Sequence, residues 1–188
     1  MKEHVDAGRE LVMVSHSFGG LPATDSVVGE TVRERQEKGL AGGVRAVVYI
    51  AAFAPPAPGM SLFKIIGVNE SSHPSWWSPK GDLAVLAGDA KDLLYNDIDK
   101  AVAQMAMDIM VPQSLVSNIS VCAHGTSEIV VPKTYVAARN DLVLPYEGQR
   151  AMAQAAGAKM VELECGHSPF LKDKETLLLL DVIEKSAM

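Results

Sequence analysis

The run Leu11-Val12-Met13-Val14, followed at once by Ser15-His16-Ser17-Phe18-Gly19-Gly20, narrows the folds open to this chain more than any other feature. A short apolar run bounded by polar residues suits a strand buried on both faces of a parallel sheet. Residues 21–38 are helix formers, the charges from Glu30 to Lys38 read as a solvated helix face, and Gly39 stands where a helix would stop. Strand, sharp turn and helix in so little chain leave a serine hydroxyl at the crest of the turn. Small residues two before and two after that serine, here Ser15 and Gly19, let such a turn close.

The alternation continues. Residues 44–51 form a second buried run, preceded by Gly42-Gly43 and ended by Pro55-Pro56-Ala57-Pro58-Gly59, which cannot remain in a central strand. Later come a strand at 133–138, a helix at about 146–156, a strand at 159–164 and a last helix at about 172–185. Strands alternating with helices predict parallel βαβ units. Residues 60–126 differ: strand signals are few, 71–79 are rich in Ser, His, Pro and Trp, and helical patterning runs through 97–110 and near 112–117. The expectation is one α/β domain with a mainly parallel sheet of about four strands and flanking helices. Segments 1–59 and 127–188 form its core, and 60–126 is an inserted, mostly helical cap.

A serine hydroxyl is a poor nucleophile until a base takes its proton, and the base needs a third group to hold its ring. Two further strand ends carry the residue types required. Asp141 lies in the turn Arg139-Asn140-Asp141-Leu142 after the strand at 133–138, and His167 lies in Cys165-Gly166-His167-Ser168-Pro169 after the strand at 159–164. An aspartate before a helix is by itself more often a cap, and a lone histidine in a glycine-containing loop more often structural. Serine, aspartate and histidine in this order after three of the strand ends point to a catalytic triad of Ser17, Asp141 and His167. The Phe18 amide, at the start of the next helix, is a candidate oxyanion donor, with Gly19 completing the elbow. Residues 51–54 offer no carboxylate to compete with Asp141. His16 is expected to be held by its own backbone, and His124 is the rival base. With Trp76 and Trp77, these two histidines are the candidate pocket residues.

Composition removes other classes. The 188 residues carry a net charge of −6 without a basic stripe or block of like charge, so nucleic acid and anionic membrane are poor partners. No stretch approaches the roughly 20 apolar residues of a membrane span, and the first residues lack an apolar signal core. Cys122 and Cys165 fit neither a disulfide framework nor a metal-ligand spacing, so no metal is expected. The reading is a cytoplasmic protein acting on a small molecule.

In Ser15 to Gly20, Val47-Val48-Tyr49-Ile50-Ala51-Ala52-Phe53-Ala54-Pro55, Tyr135 to Pro145 and Gly166-His167-Ser168-Pro169, the sequence resembles the α/β-hydrolase superfamily. Within it the likeness is to the branch of plant methylesterases, hydroxynitrile lyases and related microbial esterases. The resemblance implies no cofactor and cleavage of a small ester or lactone by the triad. Two other readings stay open: lyase or cyclase chemistry on the same triad, which wants a cap lysine or threonine near the serine (Lys64, Lys80, Lys91 and Lys100 are the lysines available), and a silent copy that only binds. Members usually carry several strands before the elbow, one of whose loops supplies the second oxyanion donor. With the elbow at residue 17, the expectation is a truncated form of the fold, weakened by loss of that donor by about 10²–10³ in turnover. Its elbow strand becomes a sheet edge, which a second copy in a homodimer would cover.

Overall fold

The computed structural model describes residues 1–69 and 72–188; Ser71, at the head of the Ser/His/Pro/Trp-rich stretch, lies outside the described residues. A short helix α1 (Lys2–Asp6) leads into β1 (Glu10–His16). After one tight turn at Ser17–Gly19 the chain enters α2 (Gly20–Val27) and α3 (Val32–Glu37), then returns as β2 (Gly43–Ile50). The inserted segment comes next: α4 (Leu62–Ile66), β3 (Trp77–Lys80), β4 (Leu83–Leu86), α5 (Ala90–Leu94), α6 (Lys100–Asp108), β5 (Gln113–Ser114) and α7 (Leu115–Ile119). The core resumes with β6 (Lys133–Ala138), α8 (Tyr146–Ala155), β7 (Lys159–Leu163) and α9 (Asp173–Ala187). The main sheet has four parallel strands in the order β1-β2-β6-β7.

β2 reads as an apolar run, broken only by Arg45 near its start, because it has a strand on each side and helices on both faces. Alternate residues divide between two cores. Val47 and Tyr49 pack with Leu21, Val27 and Met152 from α2 and α8, while Val48 and Ile50 pack with Cys165 and Leu179 beneath α9. Each such side chain, fully buried, contributes about 1.5–3 kcal/mol. The elbow helix is also fastened by polar contacts. Tyr49 Oη lies 2.8 Å from Thr24 Oγ1, and Thr24 in turn donates to the Gly20 carbonyl at 2.8 Å. A buried tyrosine hydroxyl needs a partner, and this one ties α2 to the strand that passes beneath the serine.

The structure corrects four expectations. β1 is the sheet's edge, as expected of the elbow strand, and for that reason it is not buried on both faces: Val14 is 39% exposed. The helix expected over 21–38 is two helices, because the Glu34 carboxylate accepts from both the Gly29 and Thr31 amides, at 3.1 Å each, and Thr31 caps a fresh start. The charged face is not wholly solvated either. Arg35 is 2% exposed and meets Glu30 at 2.6 Å and the Val5 carbonyl at 3.0 Å. A buried guanidinium is tolerable only with such partners. Finally, the inserted segment adds a three-stranded antiparallel sheet, β3-β4-β5, to its helices. Its helical stretch near 112–117 is β5 followed by α7.

Among the described residues no helix is long and apolar enough to cross a membrane. Both cysteines are free and buried, and burial pushes the Cys165 thiol up to about 12.

Candidate active site

Parallel strands bring their C-terminal ends to one edge of the sheet, where the ligand-facing loops of open α/β folds gather. Here β1 ends at His16 beside Ser17, β6 ends three residues before Asp141, and β7 ends four residues before His167. The three side chains, far apart in sequence, therefore meet. His167 Nδ1 lies 2.7 Å from Asp141 Oδ2, and His167 Nε2 lies 2.9 Å from Ser17 Oγ. With the Nδ1 proton facing the carboxylate, Nε2 is left to accept from the serine hydroxyl. His167 is 1% exposed and Asp141 6%, so the bond between them runs in a low-dielectric setting, while the half-buried Ser17 meets the cavity.

The backbone at the serine is strained. Ser17 has φ of +52°, which costs a non-glycine residue about 1–3 kcal/mol and marks a position over-determined by its surroundings. One restraint is the Phe53 amide, which donates to the Ser17 carbonyl at 3.0 Å from the end of β2. The steric demand does not fall where the motif suggests. A Cβ at Gly19 would meet nothing within 4 Å, whereas one at Gly20 would sit 2.2 Å from the Phe53 carbonyl oxygen. Gly20 is thus the position where the elbow helix crosses close over Ala52-Phe53, the segment that follows β2.

Asp141 is held by groups that no local pattern reveals. Its Oδ1 accepts from the Val143 and Leu144 amides at 2.8 and 2.9 Å. Gln149, buried on α8, bonds the Ala138 amide and carbonyl and the Leu144 carbonyl, with its amide nitrogen 3.4 Å from Asp141 Oδ2. A polar residue on the inward face of a helix is the signal that could have flagged Gln149.

His16 is held by the histidine loop and not by its own backbone. Its Nε2–H donates to the His167 carbonyl at 2.8 Å, and its ring lies 4.7 Å from the His167 ring and 4.9 Å from Phe170. Burial, followed by the neighbouring His167, lowers its pKa to about 4. The folded protein therefore holds His16 neutral, while the unfolded chain protonates it near 6.5. The associated stability is fully present above pH 6.5 and is lost as pH falls from there toward 4. At about 1.4 kcal/mol per pH unit this amounts to about 2.5 kcal/mol by pH 4.5. Urea denaturation at pH 7 and 4.5 should show that extra loss in the wild type and not in His16→Gln; equal losses in the two proteins would refute it.

A cavity of about 810 Å³ opens beside the three residues. Its walls come from the elbow, the segment after β6 and the inserted segment, and include His16, Phe18, Phe53, Trp76, Trp77 and Met152. Trp77 also packs edge-on against Phe63 at 5.5 Å, so its body belongs to the core of the inserted segment. His124 is elsewhere: it is not among the residues lining this cavity, and its Nδ1 lies 3.0 Å from Glu128 Oε2. The rival base is thus committed to a surface carboxylate. Among the described lining residues there is no Asp, Glu, Lys or Arg. No group of three or more His, Cys, Asp or Glu placed to hold a metal ion occurs among the described residues.

Comparison with known proteins agrees with this architecture. The chain is 27% identical over 179 residues to alpha/beta hydrolase nvfD of Aspergillus novofumigatus, covering 92% of this chain and 69% of that protein. It is 26% identical over 178 residues to probable hydrolase R7 of a Phoma species, covering 86% of this chain and 64% of that one. The fold superposes on the crystal structure of polyneuridine aldehyde esterase with a TM-score of 0.67 at 19% identity, covering 93% of this chain and 72% of the other. The chain thus spans roughly two thirds of the length of the curated relatives it matches. A sequence model of the alpha/beta hydrolase family matches residues 2–177, and the chain belongs to that family.

Proposed function

We propose that the protein is a serine hydrolase that cleaves a neutral carboxylic ester or lactone. The observation that carries this reading is the unbroken hydrogen-bonded chain from Asp141 through His167 to a strained Ser17, opening onto a cavity with uncharged walls. In the proposed reaction Ser17 Oγ attacks the ester carbonyl while His167 Nε2 takes its proton. Asp141 keeps the ring in the tautomer that can accept it and stabilises the imidazolium that forms. The Phe18 amide, at the positive end of the helical turn after the serine, donates to the carbonyl oxygen as it becomes an oxyanion. His167 returns the proton to the departing alkoxide. Water, deprotonated by the same nitrogen, then attacks the acyl carbon, and the bond to Ser17 Oγ breaks as His167 returns the proton to that oxygen and the acid departs.

Two observations favour ester cleavage over lyase or cyclase chemistry. None of Lys64, Lys80, Lys91 and Lys100 lines the cavity, and Lys64 Nζ donates instead to the Gly59 carbonyl at 2.8 Å. A protein that merely bound a ligand would have no use for a nucleophile held at positive φ. The cavity falls within the range of about 300–1,000 Å³ typical of small-molecule sites, so a bulky apolar acyl or alkyl group fits as readily as a small one.

The test is intact-mass spectrometry after incubation with a small fluorophosphonate. A single adduct, mapped to Ser17 by peptide sequencing, is the expected result. Folded protein that forms no adduct would sink the proposal.

A further inference from the structure

The turn that leaves α5 reaches both loops that carry the triad's base and acid. Asn96 Nδ2 donates to the carbonyl of Asn140, the residue before Asp141, at 2.9 Å. Asp97 Oδ2 accepts from the amide of Gly166, the residue before His167, at 2.8 Å. Ser168, the residue after His167, donates through Oγ to the Leu94 carbonyl at 3.2 Å. A run of four residues, Leu94 to Asp97, therefore grips the chain on both sides of His167 and just ahead of Asp141.

The grip is tight. A Cβ at Gly166 would fall 2.1 Å from Asn96 Oδ1 and 2.6 Å from Asp97 Oδ1, so any larger residue there would have to displace the two side chains that hold the loop. Among the described residues no hydrogen-bond partner faces the buried Asp97 Oδ1, so the hold of this carboxylate on the loop runs through Oδ2. Lys172 Nζ, at 2.7 Å, balances the charge on the other oxygen. The same four-residue turn also faces the ligand space, since Leu94 and Tyr95 line the cavity.

We infer that Asp97 is a positioning residue for His167: its carboxylate fixes the Gly166 amide so that the imidazole stays in line between Asp141 and Ser17, and the turn couples the cavity wall to the triad. This inference rests on the serine hydrolase reading. A residue acting through the orientation of the base alters how fast the serine is activated, and leaves the shape of the cavity largely as it was.

The experiment compares the second-order rate of labelling by a small fluorophosphonate, its pH profile, and kcat and KM on p-nitrophenyl butyrate, for wild type and a set of variants. Asp97→Ala should slow labelling and lower kcat by about 10- to 100-fold, the range seen when a supporting partner of a site histidine is lost, with KM within about threefold and the pH profile displaced. Asp97→Asn, which keeps an acceptor for the Gly166 amide, should recover most of the rate. Lys172→Met should label within about threefold of wild type, because the ion pair only balances charge. Folded Asp97→Ala that labels at the wild-type rate overturns the inference, as does a Lys172→Met that is as slow as Asp97→Ala. If Asp97→Ala does not fold, Asp97→Glu decides: it keeps the charge but displaces the acceptor, and labelling at the wild-type rate would overturn the inference. A wild type that never labels instead overturns the hydrolase reading, and this inference falls with it.

Discussion

Ser17→Ala and His167→Ala should each lower ester turnover by about 10⁴–10⁶-fold, and the double variant should lose little more than either alone. The reason lies in the geometry. Ser17 Oγ is 2.9 Å from His167 Nε2, so in the proposed reaction the base acts on the serine and the serine depends on the base. Once either partner is gone, the other contributes almost nothing. Asp141→Asn should be nearly as damaging, at about 10⁴-fold, because an amide presents a donor where the carboxylate accepts and turns the ring to the wrong tautomer. Steady-state rates on p-nitrophenyl butyrate, measured with near-ultraviolet circular dichroism to verify the fold, provide the check. Losses that multiply in the double variant would mean that the two side chains act separately, and the proposed mechanism would be wrong.

The second large effect concerns stability. Gly20→Ala is expected to destabilise the protein by about 3 kcal/mol or more, whereas Gly19→Ala should be neutral or stabilising by up to about 1 kcal/mol. The added Cβ at residue 20 meets the Phe53 carbonyl at 2.2 Å, and both groups are backbone or fixed to it, so neither can rotate away. The elbow helix would have to lift from β2, straining the Thr24 and Tyr49 contact that fastens it. At residue 19 the backbone is already in the right-handed helical region and the new methyl enters open space, so alanine merely restricts the unfolded chain. Urea midpoints for the two variants decide the matter; equal midpoints would show that the close crossing is not a real constraint.

Much of the fold, and the three residues of the proposed triad, were legible because each lies in a short local pattern at a strand end. Val44 to Ile50 announced a central strand by lacking any polar interruption except Arg45, and Ser15 to Gly20 compressed strand end, nucleophile and helix start into six residues. The losses have a common physical cause, which is that contact between distant segments leaves no periodic trace. Strand β3 contains Pro79 and spans only four residues, too short for alternation to register. The burial of Arg35 depends on Val5, Glu30 and Ala41 converging on it. Asp97 reaches Gly166 across 69 positions of sequence. The break at Val28–Thr31 is different, since Thr31 and Glu34 spell a capping box that a closer reading of spacing would have found.

The uncharged cavity wall also governs how the product leaves. Hydrolysis of a neutral ester produces a carboxylate, and a bare carboxylate among apolar walls is costly unless a cation or several donors receive it. The described walls bring no lysine or arginine to do so. The chamber that takes a neutral ester thus offers no cationic side chain to retain the acid made from it, and the free energy of hydration favours the departure of that product. Under the proposed reaction the site clears itself at every turn of the cycle, and the ester's own change of charge sets the direction of traffic.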